Sequence, residues 1–477
     1  MASALHATRT PIEGLLLFDL PVHGDARGWF KENWHRSSME PLGLPDFGPV
    51  QQNVSFNDAV GTTRGLHAEP WDKWVSVATG RVFGAWVDLR SGTGFGSVFT
   101  AEIDPGRAVF VPRGVANGFQ TLEPGTAYTY LVNDHWSPDA AYAFLNVADE
   151  TSAIPWPLPL DRAELSAKDR AHPRLSDVEP VPPRRVLVLG AGGQLGTALR
   201  AEFAGLRHVE FATRDELDLA SDLAGARRWR DYGTIINAAA FTAVDAAESP
   251  EGRRRAWAVN AGGVAALARV AAENGITLVH VSSDYVFDGS LPRPYRETDP
   301  LCPVSAYGQS KAAGDVAAAT APRHYILRTS WVVGDGRNFV RTMASLARQG
   351  VSPRVVDDQL GRLTFATDLA RAIRHLLSVA APSGTYNVTG SGAPRTWAQL
   401  ARQVFAQCGV DPDQVVGVST EEYFAAAQGP VGARPRNSVL DLARIEATGF
   451  TPADGDEALA AYLQGLREVS AAAGSAR

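Results

Sequence analysis

Two side chains four residues apart carry the first chemical signal. In Tyr307-Gly308-Gln309-Ser310-Lys311, helical spacing puts Tyr307 and Lys311 on one face. An ammonium beside a phenol lowers the phenol's pKa electrostatically, which suits a group that gives or takes a proton near neutral pH. Upstream, Ser282-Ser283-Asp284-Tyr285 follows an apolar run. A hydroxyl at that strand end, on Ser283, can hydrogen-bond a carbonyl oxygen that Tyr307 protonates. The third signal is Gly190-Ala191-Gly192-Gly193-Gln194-Leu195-Gly196, directly after RVLVLG. Glycines at 190, 193 and 196 permit a tight turn, close backbone approach to a pyrophosphate, and packing of the next helix on the strand. The helix N-terminus then turns free N–H groups toward phosphate. About 20 residues on, Arg214 is either the holder of a 2′-phosphate or a solvated loop arginine.

The first part of the chain carries a second set. Arg64-Gly65-Leu66-His67 sits between strand signals, Lys73 follows six residues on, and Asp169 closes Leu165-Ser166-Ala167-Lys168-Asp169. A lone histidine is more often structural than catalytic, so His67 needs its neighbours to decide its role. The lysines help: of 45 basic residues only Lys31, Lys73, Lys168 and Lys311 are not arginine. Lysine alone offers a compact point charge and a proton that burial readily loosens.

The elements that must position these groups divide the chain in two. Over residues 1–178 the runs WVSVATG, RVFGAWVDLR, AVFVPRG and TAYTYLVND are closely spaced strand signals with no long helical period between them, which predicts an all-β sandwich or barrel. Residues 179–184 are proline-bearing and read as a linker. From 185 to 477, RVLVLG, TIINAAA, AGGVAALARVAAENG, ITLVHVSSDYVF and KAAGDVAAAT alternate strand and helix, the pattern of a doubly wound parallel sheet. The last residues, AAAGSAR, are expected to fray.

Composition excludes several classes. The chain has 477 residues, 45% of them hydrophobic and 20% charged, an ordinary globular mix too long for one core. A net charge of −7 argues against a nucleic-acid-coating protein. Two distant cysteines, Cys302 and Cys408, exclude a disulfide scaffold and a four-cysteine zinc site, and no metal ligand set is expected. No run of about 18 apolar residues suggests a membrane span, and no signal peptide is evident. A cytoplasmic protein is the expectation.

With these residues in place, the second part resembles extended short-chain dehydrogenases, and more closely the dTDP-4-dehydrorhamnose reductase family. The similar segments are GAGGQLG (190–196), INAAAFTAVDAAE (236–248), VN (259–260), HVSSDYVFDG (280–289), YGQSK (307–311), RTSWVVG (328–334), NF (338–339) and DDQLGRLT (357–364). The resemblance implies hydride transfer from NADPH or NADH to C4 of a 4-keto-6-deoxy sugar nucleotide. Tyr307 is then the acid, Lys311 tunes it and binds the ribose, and Ser283, in place of a more usual threonine, polarises the ketone. It further implies a cofactor site on Gly190, Gly193, Gln194, Leu195, Gly196, Arg214, Asp218, Leu219, Ala238, Ala239, Tyr307 and Lys311. Substrate would touch Thr242, Val244, Asp284, Trp331 and Asn338. Some relatives use magnesium between subunits, but no residue here is assigned to it.

The first part resembles the dTDP-4-dehydrorhamnose 3,5-epimerase family, a cupin-type jelly roll, through DARGWFKE (25–32), QQNVSFN (51–57), RGLH (64–67), VDLR (87–90), VPRGVANGF (111–119), WSP (136–138), IPWP (154–157) and LSAKD (165–169). The resemblance implies His67 as base, Asp169 as its orienting partner, Lys73 and Arg64 as enolate or phosphate contacts, and substrate contacts at Arg27, Glu32, Gln52, Asn53, Asn117 and Trp136. Three positions depart from the family pattern: Trp136 takes the place expected for an acid tyrosine, Gly84 that of an aspartate and Asn117 that of a histidine. Tyr130 shares a strand face with Trp136 but lies roughly 20 Å away, so it is not expected to replace it. The barrel is therefore either a working epimerase or a sugar-nucleotide-binding or assembly module beside a reductase. A homodimer acting on a dTDP-4-keto-6-deoxyhexose, without nucleic acid or membrane, completes the expectation.

Overall fold

Short β-branched and aromatic runs in the first part become two antiparallel sheets laid face to face. The structure is a computed structural model describing residues 4–138 and 140–475, with 469–475 as backbone only. It falls into two units that divide between Pro183 and Arg184. In the first, one sheet runs in the order His6–Arg9, Leu16–Asp19, Arg107–Val111, Lys73–Thr79, Thr126–Val132, Gln51–Asn57. The other runs Ala143–Phe144, Thr62–Ala68, Val115–Thr121, Val82–Asp88, Val98–Ile103, and Glu164–Leu165 pairs parallel with Thr62–Ala68. Val75, Val77, Trp86, Val109, Val111, Phe119 and Tyr128 fill the space between them. Each such buried side chain contributes on the order of 1.5–3 kcal/mol. Gly80 makes the tight turn between Thr79 and Val82 at φ +78°, where a Cβ would meet Thr126. The unit takes in part of the stretch expected as linker, because Val181 bridges Arg90 and its N–H donates to the Leu89 carbonyl at 2.7 Å.

The second unit is a doubly wound parallel sheet in the order Val209–Ala212, Arg185–Leu189, Tyr232–Asn237, Thr277–Val281, His324–Arg328, Gly384–Asn387. Apolar clusters around Leu199, Leu369 and Ile373 on one face, and around Leu267, Val270 and Ile235 on the other, bury both sides, which is why the strands read as continuous apolar runs. Chain order reverses between Arg185–Leu189 and Tyr232–Asn237. Their carboxyl ends therefore open the crevice in which such sheets bind ligands. A lobe built on Phe339–Arg348 and Trp397–Gln407 packs around Phe405, Val340 and Leu459. The helix expected over AGGVAALARVAAENG is preceded by a π-helical stretch, Ala258–Gly263. The final helix, Gly455–Ser475, extends into the segment expected to fray, and residues 476–477 lie outside the described residues. Among the described residues no helix is long and apolar enough to cross a membrane.

Candidate active sites

The tyrosine–lysine pair lies on the helix Ala306–Ala318, whose start is fixed twice. The Ser305 side chain accepts from Gly308 N, and Glu248 Oε1 accepts from Ala306 N at 2.7 Å. Asn260 donates to Ser310 Oγ at 3.0 Å and to the Phe241 carbonyl at 3.0 Å, tying the helix to the segment after the third strand. Tyr307 and Lys311 are buried, with Lys311 Nζ donating to the Val281 carbonyl at 2.7 Å. Ser283 stands just past Thr277–Val281, next to Tyr307, and its hydroxyl donates to Asp284 Oδ1 at 3.0 Å. The expected depression of the Tyr307 pKa is not what these surroundings impose. Burial pushes the phenol up, the Ser283 hydrogen bond pulls it part of the way back, and Asp284 and Asp315 push it further. Burial also lowers Lys311 to about 8, against the pull of Asp315. Tyr307 is thus a phenol that stays protonated at neutral pH.

The glycine loop has the shape a dinucleotide requires. A Cβ on Gly190 would lie 2.7 Å from Ala239 N and 2.8 Å from the Ala238 carbonyl carbon, and one on Gly196 would lie 2.3 Å from the Gly190 oxygen. Gly193 caps Gln194–Glu202, while a Cβ on Gly192 would meet nothing within 4 Å, leaving that side open. The Gln194 side chain accepts from Gly334 N at 2.7 Å, joining this loop to the RTSWVVG segment. Arg214 is largely exposed and its Nε reaches Asp218 at 3.2 Å, while Leu219 is buried against Gly263. Of the expected substrate contacts, Val244 packs in the Tyr307 cluster with Phe241 and Tyr285, Thr242 is exposed and Asp284 is buried. Trp331 stacks on Trp397 at 3.7 Å. Asn338 caps Phe339–Arg348 with its Oδ1 at Arg341 N, and its amide donates to the Gly334 carbonyl and Tyr462 Oη, so its polar groups hold the loop.

In the first unit a cavity of about 820 Å³ is lined by Arg64, His67, Glu69, Lys73, Asn117, Tyr128, Tyr130 and Asp169, with Val54 and Phe56 on one side. His67 Nε2 and Asp169 Oδ1 are 2.9 Å apart. Because a carboxylate only accepts, Nε2 carries a proton, which in the neutral ring leaves the lone pair on Nδ1. Burial works to raise the Asp169 carboxyl, but the His67 and Ser166 hydrogen bonds and the charge of His67 hold it below its ordinary value. Lys73 contacts the Glu69 carboxylate and donates to Asn117 Oδ1 at 2.9 Å, and Asn117 in turn donates to Tyr128 Oη at 2.7 Å. Asn117 is therefore a clamp on the ammonium. Tyr130 lies with its ring centroid 5.7 Å from Lys73 Nζ. Burial and Glu69 raise its pKa, while Arg64 opposes them.

Several residues expected at this site stand away from the cavity. Trp136 is 64% exposed and does not line the cavity, whereas Tyr130 does, so the indole is not the group facing the base. At Gly84 a Cβ would come within 2.4 Å of the Trp86 ring, so that indole fills the room an aspartate would need. Arg27, Glu32, Gln52 and Asn53 also lie outside the cavity lining. Arg27 sits in the hairpin His23–Asp25/Gly28–Phe30, paired with Asp25 at 2.5 Å, and Asn53 accepts from Gln51 at 2.9 Å. Glu69, Tyr128 and Tyr130 were not anticipated as site residues. The even spacing of Tyr128 and Tyr130 on one strand is the signal that could have found the two tyrosines.

Comparison with known proteins gives two matches. The family profile for the RmlD substrate binding domain matches residues 184–468, and that for dTDP-4-dehydrorhamnose 3,5-epimerase matches 9–177. The chain is 53% identical over 180 residues to a Streptococcus pyogenes protein called RmlC homolog, covering 36% of this chain and 90% of that one. It is 39% identical over 276 residues to dTDP-4-dehydrorhamnose reductase of Mycobacterium tuberculosis, covering 56% and 88%. A crystal structure of dTDP-4-dehydrorhamnose reductase from Bacillus anthracis in complex with NADP is 31% identical, with a TM-score of 0.53 over 59% of this chain and 98% of that one.

Proposed function

Since the chain belongs to the RmlD substrate-binding-domain family over its second unit and to the dTDP-4-dehydrorhamnose 3,5-epimerase family over its first, we propose that it carries out two consecutive steps of dTDP-L-rhamnose formation. The first unit epimerises dTDP-4-dehydro-6-deoxy-glucose at C3 and C5, and the second reduces the 4-keto group. The observation that carries the reading is the presence of both proton-handling sets in one chain: His67–Asp169 facing Tyr130 across a cavity, and Ser283 beside Tyr307.

In the barrel, His67 Nδ1 removes the proton α to the ketone, and the C–H electron pair moves onto the C4 oxygen. The Lys73 ammonium, held by Glu69 and Asn117, faces the resulting enolate. His67 stands on Thr62–Ala68 of one sheet and Tyr130 on Thr126–Val132 of the other, so base and acid occupy different walls. A proton taken from one face and returned by the Tyr130 O–H to the other inverts the carbon. In the second unit the open glycine loop suits the pyrophosphate of a dinucleotide, and Arg214 suits a 2′-phosphate. NADPH, when bound, supplies the hydride. Ser283 and Tyr307 hold the C4 oxygen, and Tyr307 gives it a proton; a phenol that stays protonated at neutral pH is suited to a developing alkoxide.

A second copy of the chain is the proposed partner. Val54 and Phe56 on the sheet-edge strand Gln51–Asn57 are 64% and 60% exposed, and Trp29 and Phe30 of the Arg27 hairpin 47% and 66%. Apolar surface of this kind is normally covered.

The test is to supply the 4-keto sugar nucleotide in deuterium oxide, with and without NADPH. Without it, deuterium should enter C3 and C5, and His67→Ala should abolish this. With NADPH, Tyr307→Phe should stop oxidation of the cofactor while exchange continues. If no deuterium enters C3 or C5 in the wild type, the barrel is a binding module instead; exchange that survives His67→Ala would take the base role from His67.

A further inference from the structure

We propose that His67, Asp169 and His172 form a site for a divalent first-row transition ion of the zinc class, and that filling it turns the barrel off. Asp169 belongs to the short helix Ala167–Arg170, and His172 follows it by three residues. The parallel pairing of Glu164–Leu165 with Thr62–Thr63 brings that segment against the His67 strand. One donor atom from each of the three side chains lies within 4.8 Å of the others. His67 Nε2 is 2.9 Å and His172 Nε2 3.8 Å from the same Asp169 oxygen. Tetrahedral coordination with bonds of about 2.0–2.1 Å sets donors roughly 3.3 Å apart, so small side-chain movements close the site.

The independent observation is His172 itself. Its side chain is 6% exposed, and its ring nitrogens make no well-formed hydrogen bond, only a weak approach to the Leu145 backbone. The ring is held by stacking on Phe144, centroids 4.7 Å apart. An imidazole buried beside a carboxylate without a well-formed hydrogen bond is costly unless something uses its nitrogens. Lys168 stands near enough to His172 for its charge to be felt there, and that charge works against a cation. Two imidazoles and one carboxylate suit zinc, cobalt or nickel rather than magnesium or calcium. His67 is 34% exposed and lines the cavity, so the fourth position opens toward it.

Occupancy disables the base through its tautomer. In the metal-free site the His67 proton is on Nε2 and the lone pair on Nδ1. An ion on Nε2 takes the lone pair there, and the remaining ring proton must move to Nδ1. The nitrogen that abstracts the substrate proton then becomes a donor. This consequence rests on His67 being the base, whereas the binding itself does not.

The experiment uses the full chain, freed of metal with chelator, and Zn²⁺ alone. Equilibrium dialysis should find a site weakened at least tenfold in both His172→Ala and His172→Gln, which also removes any ion held at Cys302 from the comparison. Bound Co²⁺ should give the visible absorption of a tetrahedral site in the wild type only. Zn²⁺ should suppress deuterium exchange in the wild type and not in His172→Gln, whose metal-free exchange should match the wild type; chelator should restore it. Binding indifferent to His172 overturns the site, and binding that leaves exchange untouched overturns the switch. A chain with no metal-free exchange would count against the epimerase reading, and the dialysis result would still decide the site.

Discussion

Asp284→Asn should stabilise the second unit, and only above mildly acidic pH. Asp284 is 3% exposed, and burial raises its carboxyl from the ordinary 3.8 to about 6, against hydrogen bonds from Ser438 and Ser283 and from the backbone. A carboxyl raised on folding binds its proton more tightly in the folded chain. Its contribution is therefore fully favourable below the unfolded value near 3.8 and is lost as pH rises through about 6. Above that the penalty is constant, and the difference between the two values corresponds to about 3 kcal/mol. Asparagine keeps an acceptor for the Ser283 hydroxyl, 3.0 Å away, and carries no charge to desolvate. Over a unit of about 290 residues, 3 kcal/mol is about 5 °C in Tm. Calorimetry of wild type and variant from pH 4 to 8 should show melting curves that coincide near pH 4 and separate to that extent by pH 7. Differences that do not change with pH would refute the argument, because they would mean that Asp284 ionises in the folded chain as it does in the unfolded one.

Three further outcomes follow from the sites. Gly196→Val puts a side chain where a Cβ already lies 2.3 Å from the Gly190 oxygen, so NADPH affinity measured by fluorescence titration should fall at least tenfold; equal affinity would remove the loop from the cofactor site. Arg214→Ser should raise the Kd for NADPH about tenfold and leave NADH unchanged; an unaltered preference would leave Arg214 as the partner of Asp218 only. Tyr130→Phe should cut epimer formation by about 10²–10⁴ while solvent exchange through His67 persists, and Trp136→Phe should do little. The reverse pattern, read by chromatography of the sugar nucleotides, would return the acid role to the position expected from the sequence.

How much could be read in advance depended on how local each site is. The reductase groups are nearly contiguous: a strand, a glycine turn and a helix in one run, and Tyr307 and Lys311 one helical turn apart. Spacing alone reports such neighbours. The sign of the Tyr307 shift was not legible, because it depends on how deeply the helix is buried rather than on its sequence neighbour. In the barrel the partners are far apart in sequence, and register between strands decides who meets whom. Tyr130 faces the cavity because Thr126–Val132 pairs with Lys73–Thr79, which places Leu131 opposite Trp74 and Tyr130 opposite Val75. Trp136 lies past the end of that strand at Val132, where alternation no longer predicts a direction. The roughly 20 Å expected between the two residues set Tyr130 aside, and it is Tyr130 that lines the cavity. His172 had no signal at all, since its meaning comes only from the two side chains it is folded against.

The two steps also explain why the chain needs two architectures. Inverting a carbon requires proton removal and delivery on opposite faces, so acid and base must stand on separate walls. Two sheets laid face to face supply walls at the spacing of a sugar ring, since stacked sheets lie about 10 Å apart. Reducing a ketone makes a different demand: the proton and the hydroxyl that positions it meet one oxygen, so both belong together at one strand end. Ser283 at the end of Thr277–Val281 and Tyr307 on the helix Ala306–Ala318 provide that from one side. A parallel sheet collects such residues at its carboxyl edge, beside the crevice in which such sheets bind dinucleotides. Neither architecture places groups well for the other reaction, and a chain that does both therefore carries both.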